Sequence, residues 1–192
     1  MVSAEYDRDD MSLTYASYLE LDELLDLQHP RSDPPEHDEM LFIVIHQTYE
    51  LWFKLLLHEL EKVGLDFRAG EQWAAVHTLK RCRTIMKTLV GQLDVLETMT
   101  PTSFRSFRDR LETSSGFQST QFRELEFLLG FKRPGVMKLA GIDSGVGWEQ
   151  AIRRLDEPSL IDHFHAFMAA EGADVPADVL ERDLREPNGP DE

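Results

Sequence analysis

HDEMLFIVIHQTYELWFKLLLHELE, residues 37–61, decides the fold. Its apolar residues recur at steps of three and four and cover nearly the whole circumference of a helix, so the spacing predicts a long buried helix. The helix is expected from about Asp38 to Val63, which at 1.5 Å per residue is roughly 39 Å. Asp38 or His37 stands at its start, where acidic groups favour the helix dipole. His46 lies in the middle of the run, and a polar ring in that setting needs a hydrogen-bond partner.

On either side the chain is just as helical. The segment HPRSDPPEHD (29–38) carries three prolines and must be a loop, so SLTYASYLELDELLDL (12–27) forms a separate first helix. GLDFRAG (64–70) reads as a turn, and a second long helix follows over about 71–97. Its expected core stripe is Trp73, Val76, Leu79, Met86, Leu89, Leu93 and Leu96. Two long helices joined by a short turn form an antiparallel hairpin. Thr100-Pro101 starts a short helix, with a capping hydroxyl followed by proline at the first helical position. A small-residue loop spans 113–119, helix returns over 118–129 and stops at Gly130, and 131–147 is glycine-rich and irregular. Weaker helices are expected at 148–156, 159–170 and 176–184. The fold class is all-α: one helical domain over 1–184, built on the long hairpin, with a flexible acidic tail at 185–192.

Composition narrows the function. The 192 residues are 42% hydrophobic and carry a net charge of −16, which argues against a nucleic-acid partner and an anionic membrane surface. Cys82 is the only cysteine, so no internal disulfide forms, and a reducing cytoplasmic setting is expected. The N-terminus lacks the basic and apolar regions of a secretory leader. Residues 41–45 are followed by His46, Gln47, Glu50 and Lys54, which makes a poor membrane span.

Three constellations could carry chemistry. Phe42, His46 and Glu50 share one helical face, with Phe53 near it: a pocket wall, or a core histidine satisfied by a carbonyl. Arg108, flanked by Phe104 and Phe107, suits capture of a carboxylate, or an ordinary ion pair with Asp109 or Glu112. Ser114-Ser115-Gly116 could approach a ligand or simply cap a turn. The Glu-x-x-His pairs of a di-iron bundle are absent from the sequence, and His163 and His165, two apart, face different directions on a helix.

Four ordered blocks resemble the tryptophan 2,3-dioxygenase family: LTYASYLELDELL (13–25), the stretch at 37–61, VLETMTP (95–101) and FRSFRDRLETSSGFQSTQFRELEFLLG (104–130). The later segments PSLIDHF and VPADVLERD are similar but less specific. The resemblance implies a heme b enzyme that inserts O2 across the indole C2–C3 bond of L-tryptophan to give N-formylkynurenine. His46 then accepts the indole N–H, and Phe42 is an apolar wall of the substrate pocket. Arg108 holds the substrate carboxylate with Phe107 beside it. Phe104 stands where members carry Tyr or Phe, and Ser115 and Gly116 lie against the heme edge. Tyr15, Tyr18 and Leu19 match residues that reach a neighbouring subunit's pocket, which implies a homotetramer. The family's axial histidine is expected from sequence beyond residue 192, so the metal ligand stays unknown. A shortened member without heme, a second polypeptide supplying the rest, or a new ligand such as His163 or His165 would each account for that. Two other functions stay open: a truncated, non-catalytic protein binding a ligand or partner, and a heme oxygenase of a related aromatic metabolite. Removal of the family's last helices would leave apolar faces of the hairpin for contacts between subunits.

Overall fold

The computed structural model describes residues 12–133, 135–139 and 147–186. Within them the chain forms ten α-helices and no β-strand. They are α1 Tyr15–Leu19, α2 Leu21–Leu25, α3 His37–Ala69, α4 Gln72–Leu96, α5 Pro101–Arg108, α6 Thr120–Leu129, α7 Gly135–Leu139, α8 Trp148–Asp156, α9 Leu160–Ala170 and α10 Ala177–Leu180. The all-α hairpin architecture is as expected. The proposed tail begins at 185, and 187–192 lie outside the described residues.

The first expected helix is two. Thr14 caps α1 in a reciprocal box with Ser17, and Glu20 (φ 49°) turns the chain into the left-handed region before α2 begins. α3 is longer than expected. Residues 64–69 remain helical and the stop falls at Gly70, in the left-handed conformation (φ 75°). Gly64 reads locally as a breaker, but it is buried under α9. A Cβ there would stand 3.2 Å from His163 Cδ2, so the missing side chain permits the close approach of the two helices. Tertiary packing therefore outweighs glycine's weak helix propensity here.

α3 packs most extensively on α4, then on α6 and α9. The core holds Leu56, Leu57, Leu60, Val63 and Phe67 of α3, Ala75, Cys82, Ile85 and Leu89 of α4, Leu125 and Leu128 of α6, and Leu160 and Phe167 of α9. The expected stripe on α4 needs correction. Trp73, Val76, Met86 and Leu93 are exposed, while Ala75, Thr78, Cys82, Ile85 and Leu89 are buried. Small side chains let the two long helices approach closely, and the bulky ones fall on the outer flank. Tyr49 donates its hydroxyl to the Leu89 carbonyl (2.7 Å), and Arg81 grips both oxygens of buried Glu59 (2.7 and 2.8 Å). Cys82 is buried, and burial together with the Glu59 charge pushes its thiol up, so it is an unreactive core residue.

Burial of α3 is uneven. Before Leu56 only Glu39 and Ile45 are buried, while Met40, Val44 and Leu51 are exposed. α3 is long and apolar enough to cross a membrane by length and composition, yet its second half forms the core of the bundle. Glu39, 1% exposed, accepts from the Arg31 and Ser32 amides (2.7 and 3.0 Å) and from Ser32 Oγ, fixing the proline loop against the start of α3. Burial opposes its charge, but those hydrogen bonds together hold the carboxyl below its ordinary value.

Candidate active site

The half-buried first part of α3 carries the site. His46 Nδ1 lies 2.7 Å from the Phe42 carbonyl one turn earlier. A carbonyl only accepts, so this contact places a proton on Nδ1, and in the neutral ring Nε2 is then the nitrogen that carries the lone pair. The core-histidine possibility thus holds for one nitrogen only. Nε2 faces the loop before α6, where a Cβ on Gly116 would come within 3.8 Å of it.

That loop is built by local hydrogen bonds. Thr100 caps α5 by accepting from the Ser103 amide (3.1 Å), as its sequence predicts. α5 ends in a single 3₁₀ turn (Asp109–Leu111), and Glu112 takes a positive φ of 49°. Arg108 Nη1 donates to the Glu112 carbonyl (3.1 Å) across this bend. Ser115 and Gln118 form a reciprocal box around the next 3₁₀ turn, Gly116–Gln118. Ser119 then caps α6, and Gln121 Nε2 donates to both the carbonyl (3.0 Å) and carboxylate (2.8 Å) of Glu50. The loop is thereby held over α3 at the level of His46.

Two cavities open between His46 and the loop that carries Gly116. Both are bounded by His46, Glu50, Ser115, Gly116 and Ser119. The larger lobe, about 350 Å³, continues over Tyr49, Phe53, Phe122 and Arg123. The smaller, about 320 Å³, continues over Phe42 and Ser114. Phe42 stacks at 4.1 Å on His46 and packs 5.8 Å from Phe104 and 5.7 Å from Phe107, whose rings meet edge-on. Phe107 is fully buried, so α5 presses an aromatic cluster behind the imidazole. A separate cleft of about 480 Å³ lies between α3, α8 and α9. Its Arg154 is engaged by three carboxylates and its His163 by Arg68, so its polar groups already serve the packing.

The expected site residues Phe42, His46, Phe104, Phe107, Ser115 and Gly116 are therefore neighbours, through α3, α5 and the loop. Arg108 is anchored at the bend beside them, on the Glu112 main chain rather than a carboxylate, and it lines neither lobe. Tyr15, Tyr18 and Leu19 lie on the exposed α1, away from both lobes. Arg123, which lines the larger lobe, and Gln121, which ties the loop to Glu50, had no place in the sequence reading. The usable signal was a cation one turn before Phe127, on the core-facing side of α6.

Residues 2–140 match the family model described as tryptophan 2,3-dioxygenase. The chain belongs to the tryptophan 2,3-dioxygenase family. It is 52% identical over 174 residues to the tryptophan 2,3-dioxygenase of Herpetosiphon aurantiacus, covering 90% of this chain and 66% of that protein. The protein of the same name from Anaeromyxobacter dehalogenans is 50% identical over 165 residues, 86% of this chain and 61% of the relative. That from a Nocardioides species is 50% identical over 173 residues, 87% and 65% respectively. The chain thus spans roughly three fifths to two thirds of these relatives' length. The matched region contains α3, α5 and the loop, hence the whole of the two-lobed site.

Proposed function

We propose that the chain carries the substrate side of a heme-dependent dioxygenase that opens the indole ring of L-tryptophan to N-formylkynurenine. One observation carries this: a histidine whose Nδ1–H is locked to its own helix, so that Nε2 presents an acceptor to an aromatic-lined hollow. An indole has a single N–H donor on a flat apolar body. His46 Nε2 suits that donor, and Phe42, Phe53 and Phe122 suit the body.

The hollow fits a flat cofactor on three counts. Its larger lobe is walled by aromatic rings, Gly116 presents no side chain, and a buried cation, Arg123, lies at its edge. Heme, when bound, supplies the oxygen chemistry. His46 fixes the indole nitrogen and excludes competing orientations. In this proposal Arg108 keeps one N–H on the Glu112 carbonyl, which stiffens the loop, and turns its remaining donors to the substrate carboxylate. The described residues that line the His46 lobes include no second imidazole, and the proposal takes the iron's histidine ligand from sequence beyond residue 192, as the resemblance implies.

The test compares L-tryptophan with 1-methyl-L-tryptophan, which lacks the N–H. The protein should prefer tryptophan by about 3- to 12-fold in affinity, the value of one neutral hydrogen bond, and His46→Leu should abolish the preference. Equal affinity of the unaltered protein for both would contradict the role of Nε2.

The proposal includes a homo-oligomer, a tetramer by resemblance, in a cytoplasmic setting without nucleic-acid or membrane partners. Tyr15 and Tyr18 are 77% and 71% exposed, and Met40, Val44 and Leu51 add an open apolar face on α3. Sedimentation at micromolar concentration should give a species larger than a monomer, and a stable monomer would refute this part.

A further inference from the structure

Arg123 lines the larger lobe, and the hydrogen bond that defines His46 makes no use of it. Only 7% of the residue is exposed, and its guanidinium lies over the Phe122 ring, 4.7 Å from the centroid. Its ion-pair partner is Glu126, with Nη1 2.8 Å from Oε2. The two are close but poorly aligned: Arg123 Nε and Glu126 Oε2 are both buried without a hydrogen bond. A buried N–H normally has an acceptor. The guanidinium fork takes a carboxylate through two parallel N–H groups, and a single misaligned contact leaves that capacity unused. Arg133 is a second cation acting on Glu126, so Glu126 keeps a counter-charge if Arg123 turns away from it. Among the described residues that line the lobe the acid is Glu50, and it is tied to Gln121.

We infer that Arg123 is a second carboxylate-binding residue, distinct from Arg108, for a ligand lying against Phe53 and Phe122 in the larger lobe. The inference rests on the reading of the hollow as a heme and indole site. Two ligands of that site carry a carboxylate: the porphyrin, through its propionates, and the amino acid itself. The chemistry at Arg123 is the same for both.

The experiment measures binding of hemin and of hemin dimethyl ester, with imidazole supplied as an external iron ligand. In parallel it measures L-tryptophan and tryptamine. The proteins are the unaltered chain, Arg123→Met, and Arg123→Lys, which keeps the charge but loses the fork. If the propionate is the partner, the unaltered chain binds hemin about 10- to 100-fold more tightly than the ester, and Arg123→Met removes that ratio. If the amino acid is the partner, Arg123→Met instead lowers the preference for tryptophan over tryptamine by about 10-fold, and Arg108, assigned to the same carboxylate, keeps the remainder. Arg123→Lys should fall between the two in either arm. Should Arg123→Met fail to fold, the ratios of the unaltered chain and of Arg123→Lys decide. A hemin-over-ester ratio near one together with a tryptophan-over-tryptamine ratio unchanged by Arg123→Met, or ratios that survive in both variants, would overturn the inference and leave the proposed function standing. Absence of saturable binding for every ligand would overturn both.

Discussion

Arg154→Met should lower folding stability by about 3–5 kcal/mol, the loss expected when one member of a buried charge cluster is removed. In a chain of this size that corresponds to a fall of roughly 6–20 °C in the thermal midpoint. Arg154 sits on α8, and its side chain is only 14% exposed. Its Nε faces Glu124 of α6 (3.2 Å), Nη1 faces Glu157 (3.0 Å), and Nη2 faces Glu61 of α3. One guanidinium thus joins three segments, and without it three carboxylates converge with no counter-charge. Burial already holds the Glu124 carboxyl above its ordinary range, against the hydrogen bond from Arg154, with Glu61 adding to the rise. A raised folded-state pKa contributes stability below the unfolded value and loses it as the pH climbs through the folded value. Losing Arg154 raises that folded value further. The deficit of the variant should therefore be greatest at neutral pH and shrink as the pH is lowered toward the carboxylate range. Adding Glu124→Leu should restore part of the loss at neutral pH, because it removes the stranded buried charge. Thermal unfolding of the single and double variants across pH checks this, and a single variant within about 1 kcal/mol of the parent would show that the cluster is only peripheral.

Gly116→Val should leave the fold intact and weaken ligand binding by about 5- to 150-fold, the range for forcing extra carbons into a formed space. Gly116 is exposed, and a Cβ there meets His46 Nε2 and Cδ2 at 3.8 and 3.9 Å, an ordinary contact distance. The alanine variant should therefore be tolerated. The valine methyls extend further, into the space in front of the Nε2 lone pair, where an indole N–H has to approach. Binding of hemin and of tryptophan to the folded variant is the measurement. Wild-type affinity for both would remove Gly116 from the site.

Much of this was legible in the chain itself. Apolar spacing on either side of Gly70 produced the hairpin, and Thr100-Pro101 marked the start of α5. The cluster of Phe42, His46, Phe104 and Phe107 followed from resemblance, and the packing of α5 on α3 brings those rings together. What stayed illegible depends on neighbours distant in sequence. Gly64 resembles a turn until α9 is seen lying on it. Trp73 and Met86 resemble core until the close approach of α3 and α4 selects Ala75, Thr78 and Cys82 instead. Arg123 looks like one more charge on an amphipathic helix until its Nε is found buried without an acceptor.

In the proposed function His46 faces a hollow that seats a flat cofactor together with an indole. This is tested most directly by titrating the chain with hemin in the presence of imidazole and following circular dichroism in the Soret band, which only chirally bound porphyrin displays. The signal should saturate at one hemin per chain and change again when L-tryptophan is added. A signal that never saturates, or one indifferent to tryptophan, would contradict that function.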